Sequence, residues 1–139
     1  MDVMVTHHPI NYWAVLVAGA AYWALGALWY AGPVFGNVWM KGIGKTKEQT
    51  QADFSPLKLV WVFLAGLVSM YGIARIMYWT GGSTVAEGIQ IGLLAGVCFV
   101  LATLFMHDTM ESRRSSLTLI NSLYSLVGFA VGGAILGAW

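Results

Sequence analysis

The sequence is short, apolar and almost uncharged. Its 139 residues are 58% hydrophobic and 9% charged, whereas soluble domains carry about 25% charged residues. The chain therefore lacks the polar surface that a water-facing globule needs. The net charge of +1 excludes the strongly basic footprint of a nucleic-acid-binding protein, and one cysteine excludes an intrachain disulfide. A chain of this length is expected to form a single domain, residues 1–139.

Four segments are long and apolar enough to cross a bilayer, which takes about 20 helical residues. In chain order, the predicted spans are residues 10–31, 57–79, 84–106 and 117–138. Only the sequence TGGS separates the second span from the third, so these two helices are expected to be antiparallel neighbours. No segment alternates in hydrophobicity as the strands of a membrane barrel do. The sequence therefore predicts an all-α, polytopic membrane protein that forms a four-helix bundle.

The first predicted span ends at two aromatic residues and a proline. Trp29 and Tyr30 suit the headgroup level of a membrane, where amphipathic rings are enriched. Pro33 has no backbone N–H and restricts the residue before it, so the helix is expected to end there. The apolar segment 34–40 precedes Lys41, and we expect it to form a short interfacial helix. The first span is too long for a signal peptide and is expected to be retained.

The basic residues predict an orientation. With four spans, segments 32–56 and 107–116 lie on one side of the membrane. Six of the seven basic residues lie on this side or at its edge: Lys41, Lys45, Lys47, Lys58, Arg113 and Arg114. The positive-inside rule then places both termini outside. The expected interfacial anchors are Trp13, Trp79 and Trp139 at the outer face and Trp29, Trp39 and Trp61 at the inner face.

The stretch NYWAVLVAGAAYWALGALWYAGPVFGNVWMKGIGKTKEQ resembles the N-terminal signature of the bacterial domain-of-unknown-function 1761 family. The shared pattern comprises Asn11, Tyr12, the run LGALWY at residues 25–30, Pro33, Phe35, Gly36, Trp39, Met40 and Gly44. The closing stretch LINSLYSLVGFAVGGAILGAW is similar to the last helix of that family. The resemblance implies a small four-helix protein of the bacterial inner membrane. It supplies no activity, so no catalytic residue is transferred.

Two charged residues fall inside predicted spans, where charge is costly and often functional. Arg75 lies about one helical turn before Trp79, and Glu87 lies about one turn into the third span. Counted along the helices from the TGGS turn that joins them, both residues are therefore expected at a similar depth in the membrane. The pattern favours a structural ion pair, or an arginine that reaches the interface while Glu87 caps its own helix. The functional alternative is a cation gate or proton-coupled site around Glu87.

The fourth predicted span carries a polar stripe. Asn121, Ser125, Gly128 and Gly132 follow one another at helical spacing, and Tyr124 lies beside them. This pattern favours close helix contact and interhelical hydrogen bonds. The alternative is a solute path lined by the side chains of Asn121, Tyr124 and Ser125.

The third predicted span carries a groove of small residues. Gly88, Gly92 and Gly96 repeat at every fourth position and would allow another helix to approach closely. With Gly128 and Gly132 they form the candidate helix-packing interface. We expect the groove of the third span to face a second copy of the chain or a larger membrane complex.

The remaining polar residues suggest little chemistry. His107, Asp108 and Glu111 could converge on a divalent cation, but the same run is typical of a solvated helix end. No nucleophile–base pair, phosphate-binding glycine loop or cofactor fingerprint occurs in the sequence, so no catalytic residue, metal or cofactor is predicted. The sequence therefore favours a non-enzymatic accessory or scaffold protein that contacts lipid and other membrane subunits and does not bind nucleic acid. The alternative is a minimal channel or transporter for a small solute.

Overall fold

The computed structural model describes residues 8–139, and this part of the chain is helical without strands. Four of its helices are long and apolar enough to cross a membrane: Tyr12–Trp29, Pro56–Thr80, Val85–Met110 and Ser115–Ala138. The predicted all-α class with four spanning helices is confirmed. The third span ends at Met110, beyond its predicted end at residue 106, because the polar residues that follow the apolar run continue the same helix.

The helices in chain order are α1 (Tyr12–Trp29), α2 (Asn37–Ile43), α3 (Lys47–Ala52), α4 (Pro56–Thr80), α5 (Val85–Ala95), α6 (Ala102–Met110) and α7 (Ser115–Ala138). One π-helical segment precedes α2, and a second joins α5 to α6 within the third span; they are Gly32–Gly36 and Gly96–Leu101. Helix α7 is central and packs most extensively on α5, then on α1 and α4. Helix α1 also packs along α4.

Local sequence signals determine where the spanning helices begin and end. Asn11 caps α1, and its side-chain oxygen accepts hydrogen bonds from the first backbone N–H groups of the helix. Ser55 caps α4 in the same way, and Pro56 follows at the first helical position. Gly81 ends α4 with φ of 71°, a left-handed conformation that favours glycine. The chain can therefore reverse within a few residues into α5.

Two short helices connect the first span to the second. Helix α1 ends at Trp29, and Ala31 is extended. Pro33 lies in the first turn of the following π-helical segment, where a missing N–H costs no intrahelical bond. Helices α2 and α3 follow before α4 begins. The chain thus turns at the end of the first span and does not add another helix of spanning length there.

The core lies towards the middle of the bundle and is apolar. Ala18 and Met70 are fully buried, and they pack within one cluster that also contains Val15, Ile73, Ala74, Met77, Ala95 and Phe129. Large apolar side chains such as Leu94 and Phe99 are exposed on the outer surface. Because lipid is as apolar as leucine, close van der Waals packing rather than hydrophobic burial holds such a core together.

Candidate functional site

Helices α5 and α7 lie backbone to backbone. A Cβ atom added to Gly88 would overlap with the carbonyl group of Gly133, and one added to Gly92 would overlap with the carbonyl group of Phe129. The main chain of one helix therefore occupies the space that a side chain of the other would need. We call this contact, formed by Gly88, Gly92, Gly133 and Gly137, the glycine seam.

The glycine groove of the third span is filled by the same chain. A Cβ atom on Gly96 would lie 2.8 Å from the side chain of Leu126 in α7, so this glycine continues the contact made by Gly88 and Gly92. The expectation that the groove faces a second copy or a larger complex is therefore wrong. The sequence could not distinguish the two cases, because an apolar helix presents similar residues to lipid and to its own bundle.

The two predicted glycines of α7 face other helices. A side chain on Gly128 would overlap with the ring of Tyr22 in α1, and one on Gly132 would overlap with Met70 in α4. Helix α7 therefore uses one glycine face against α5 and another against α1 and α4. This double use explains how a single helix can be the centre of the bundle.

Three tyrosines meet the polar stripe of α7. Tyr30 donates a hydrogen bond of 2.7 Å to the side-chain oxygen of Asn121, and Tyr124 donates one of 3.0 Å to the backbone carbonyl of Tyr22. The Tyr22 hydroxyl lies 3.4 Å from the Ser125 hydroxyl. We call these five residues the tyrosine cluster. The structure thus brings the predicted stripe together with Tyr22 of α1 and with Tyr30, which caps the end of α1. No role was predicted for Tyr22 from the sequence, and only a headgroup-level position was predicted for Tyr30.

Aromatic packing encloses the tyrosine cluster. The rings of Tyr22 and Tyr124 stack with centroids 4.9 Å apart, and Tyr30 meets Tyr124 edge to face at 5.4 Å. Trp29 donates from its indole nitrogen to the backbone carbonyl of Ile120 at 3.1 Å. Each tyrosine hydroxyl therefore has a hydrogen-bond partner inside the bundle. The arrangement is suited to holding α1 against α7.

The predicted tryptophan anchors fall into two groups. Four are exposed close to the ends of the spans, as expected for anchors in a membrane interface: Trp13, Trp61, Trp79 and Trp139. Trp29 and Trp39 are half-buried and pack on Phe35 and Tyr30 respectively. These two tryptophans therefore join α1 to the segment that follows it, in addition to lying near the end of a span.

We expect the hydrogen bond between Tyr30 and Asn121 to be measurable as a coupling energy. In a double-mutant cycle of Tyr30→Phe and Asn121→Ala, the coupling should be about 0.6 to 1.7 kcal/mol, the range found for interhelical bonds in a membrane host. The free energy of unfolding in mixed micelles provides the measurement. The control is Tyr12→Phe with Asn121→Ala, because Tyr12 is exposed and stacks on Tyr71 instead. Equal coupling in the two cycles would contradict a hydrogen bond between Tyr30 and Asn121.

Glu87 caps its own helix. Its carboxylate accepts hydrogen bonds from the backbone N–H groups of Ser83 and Thr84, at 2.9 and 3.0 Å. The Thr84 hydroxyl accepts from the backbone N–H of Glu87 in return, which completes a capping box. The carboxylate is thereby committed to the positive end of the third span.

Arg75 is not the partner of Glu87. Its guanidinium lies over the rings of Trp79 and Tyr78, 4.9 and 5.5 Å from their centroids. Among residues 8–139, no ion pair joins Arg75 to a carboxylate. The predicted ion pair is therefore wrong, and the alternative in which Glu87 caps its own helix describes this residue. The capping box satisfies the carboxylate locally, so no arginine is needed there.

Charged residues at the end of the third span are paired with each other. Asp108 is buried and accepts a hydrogen bond of 2.6 Å from the Thr118 hydroxyl. Arg113 donates to Glu111 at 2.6 Å and lies 3.8 Å from Asp108. Within the described part of the chain, no three His, Cys, Asp or Glu side chains are grouped as metal ligands. Asp108 therefore helps to join α6 to α7, and Glu111 pairs with Arg113 in the connection between the two helices.

A second charged contact stabilises the segment between the first two spans. Lys45 donates a hydrogen bond to Asp53, and this bond together with the charge of Lys45 lowers the pKa of the Asp53 carboxyl below its ordinary value. A lowered pKa stabilises the folded segment above the ordinary pKa of aspartate. That contribution is lost as the pH falls through the lowered pKa. Both side chains are about half-exposed, so the contribution is small.

A pocket opens at the end of the bundle where α1 begins. Its volume is about 390 Å³, and its lining includes the polar residues Asn11 and Ser83 and the buried residues Ala14 and Met77. One turn deeper, Ala18 is fully buried in the apolar core. The pocket is therefore a recess in one end of the bundle, with packed apolar side chains beneath it.

Apolar outer faces, four spanning helices and polar side chains bonded within the bundle define a multi-pass α-helical membrane protein. The chain belongs to the DUF1761 family, described as proteins of unknown function, whose family model matches residues 13–137. The resemblance found in the sequence is confirmed. No curated protein and no solved structure matches the chain significantly.

Proposed function

We propose that the protein is a non-enzymatic accessory or scaffold subunit that packs in the membrane with copies of itself or with a larger complex. The observation that supports this proposal is the apolar core in the middle of the bundle. Ala18, Met70 and Phe129 fill the level at which transporters usually hold substrates and coupling ions. A core of this kind is suited to a solid bundle that presents its outer surface to partners.

Two further features favour a rigid bundle. The glycine seam brings α5 and α7 into backbone contact, which leaves little room for one helix to move against the other. The tyrosine cluster uses its hydroxyl groups to join α1 to α7. The polar side chains of Asn121, Tyr124 and Ser125 therefore support packing of the bundle in preference to a solute path.

A channel or transporter for a small solute is the second candidate. The pocket of about 390 Å³ at the start of α1 favours it, because a recess with some polar lining can admit a solute from one side of the membrane. Conduction would require the apolar core beneath the pocket to open. We therefore place this candidate behind the accessory subunit.

We infer that the membrane is the bacterial inner membrane and that both termini lie outside the cytoplasm. The support is the distribution of basic residues: six of seven lie at the end of the bundle that carries α2 and α3. Alkaline phosphatase fused to the C-terminus is expected to be active, and a cytoplasm-only fluorescent reporter at the same position is expected to be dark. The reverse result would contradict this orientation.

Purification from native membranes in a mild detergent tests the proposed function. We expect the tagged chain to elute from a sizing column as an oligomer or with stoichiometric membrane subunits, identified by mass spectrometry. The control is a tagged, unrelated four-span protein expressed at the same level. A lone monomer whose melting temperature rises with one small solute would contradict the proposal and favour a transporter.

A further inference from the structure

An open apolar groove runs along the contact between α1 and α4. Its volume is about 510 Å³, and its lining includes Tyr12, Trp13, Leu16, Leu67, Val68 and Tyr71. Val68 is 71% exposed and Trp13 is 72% exposed. The lining is apolar almost throughout, and the groove lies on spanning helices, so its surroundings in a membrane are lipid acyl chains.

A positive charge lies directly beyond one end of this groove. Arg75 is one turn further along α4 than Tyr71 and two turns further than Val68, so the three residues share one helix face. Arg75 is five residues before Thr80, the last residue of α4, which places it about 8 Å from the helix end. A long arginine side chain at this depth reaches the headgroup region.

Within residues 8–139, the surroundings of Arg75 orient its guanidinium and include no carboxylate paired with it. The rings of Trp79 and Tyr78 lie close to the guanidinium carbon, and stacking on aromatic rings leaves the donor groups at the edge of the plane able to bind an anion. No carboxylate of residues 8–139 forms an ion pair with Arg75. Glu87, the predicted partner of Arg75, accepts hydrogen bonds from Ser83 and Thr84 at the N-terminus of its own helix instead.

We propose that the groove between α1 and α4 binds an anionic phospholipid, with an acyl chain along the apolar lining and the phosphate on Arg75. Charge complementarity supports this occupant, because a planar guanidinium binds a phosphate through two parallel hydrogen bonds. On this face of α4 the apolar groove lies deeper in the span and Arg75 lies nearer the helix end. A phospholipid has the same order, with its acyl chains in the membrane interior and its phosphate at the surface. A second copy of the chain could place apolar side chains in the groove, but α1 and α4, the two helices that form this surface, contain no Asp or Glu that could pair with Arg75.

Lipid retention measured by native mass spectrometry tests whether the charge of Arg75 binds the lipid phosphate. The purified chain would be exchanged into micelles that contain equal amounts of phosphatidylglycerol and phosphatidylcholine. We expect the wild type to retain phosphatidylglycerol preferentially, and Arg75→Gln to bind it about tenfold more weakly, as expected for loss of a charge-assisted hydrogen bond. The matched control is Arg114→Gln, which removes the same charge at the opposite end of the bundle and is expected to keep the preference. Equal retention of both lipids by the wild type would overturn the proposal.

A second pair of variants tests the groove. Val68→Trp is expected to fill it and to reduce retention of phosphatidylglycerol several-fold, whereas Leu94→Trp is expected to leave retention unchanged. Both replaced side chains are exposed, at 71% and 64%, so both variants should fold with wild-type melting temperatures. Unchanged retention in Val68→Trp would show that the lipid binds elsewhere. A wild-type dimer that dissociates in Val68→Trp, without loss of lipid, would assign the groove to a second copy.

Discussion

Gly92→Leu is expected to prevent α5 and α7 from packing and to destabilise the bundle by about 3 kcal/mol or more, at the upper end of the cost of overpacking. The reason is that a Cβ atom at this position would overlap with the backbone carbonyl of Phe129. Backbone cannot move aside as a flexible side chain can. The two helices would have to separate, and contacts on both sides of Gly92 in the glycine seam would be lost as well.

Gly72→Leu is the matched control for this prediction. Gly72 is also a glycine within an apolar spanning helix, but a Cβ atom there would meet nothing within 4 Å. The same chemical change should therefore leave the melting temperature in detergent within a few degrees of the wild type. Fluorescence-detected size exclusion and thermal denaturation would compare the two variants. A folded Gly92→Leu variant with wild-type melting temperature would mean that α5 and α7 are not in backbone contact.

Gly72 and Gly92 show why the spanning helices could be predicted from the sequence, whereas the side of each helix that faces the bundle could not. A span requires about 20 apolar residues, and that requirement can be read from the sequence alone. Gly72 and Gly92 are each flanked by apolar residues in such spans. One lies in open space and the other in the glycine seam. Because lipid and protein interior are both apolar, hydropathy does not distinguish an outward face from an inward one.

The tyrosine cluster was predictable in part. The spacing of Asn121 and Ser125 identified the polar face of α7, because residues four apart lie on one side of a helix. It did not identify the helix that meets this face. Tyr22 and Tyr30 are eight residues apart and so lie near one face of α1, which was a usable signal for their common role. The choice of α1 as the neighbour depends on packing of the whole bundle.

The capping role of Glu87 was readable from local sequence. Thr84 and Glu87 have the spacing of a capping box, and this local arrangement satisfies the carboxylate without a long-range partner. The ion pair with Arg75 rested on similar depth in two neighbouring helices. Depth restricts which residues can meet, but it leaves rotation of each helix undetermined. Local hydrogen bonds therefore predicted the environment of Glu87 better than estimated depth did.

Met70→Ala is expected to destabilise the bundle by about 2 kcal/mol, at the lower end of the cost of truncating a buried methionine in soluble proteins. Met70 is fully buried and lies against Gly132 of α7, so truncation leaves a cavity where α4 meets α7. The cost is at the lower end because a methionine in the unfolded membrane state is still surrounded by apolar groups. The loss is therefore mainly one of van der Waals contact rather than of transfer from water.

Leu94→Ala is the control for Met70→Ala, because Leu94 is 64% exposed on the lipid-facing surface of α5. Lipid chains can fill the space that its truncation leaves, so the free energy of unfolding should change by less than about 0.5 kcal/mol, as for other surface substitutions. Met70→Leu keeps most of the buried volume and should cost less than about 1.5 kcal/mol. Reversible unfolding in mixed micelles would measure all three variants. Equal costs for Met70→Ala and Leu94→Ala would contradict a packed core at Met70 and would reopen the possibility of a path through the bundle.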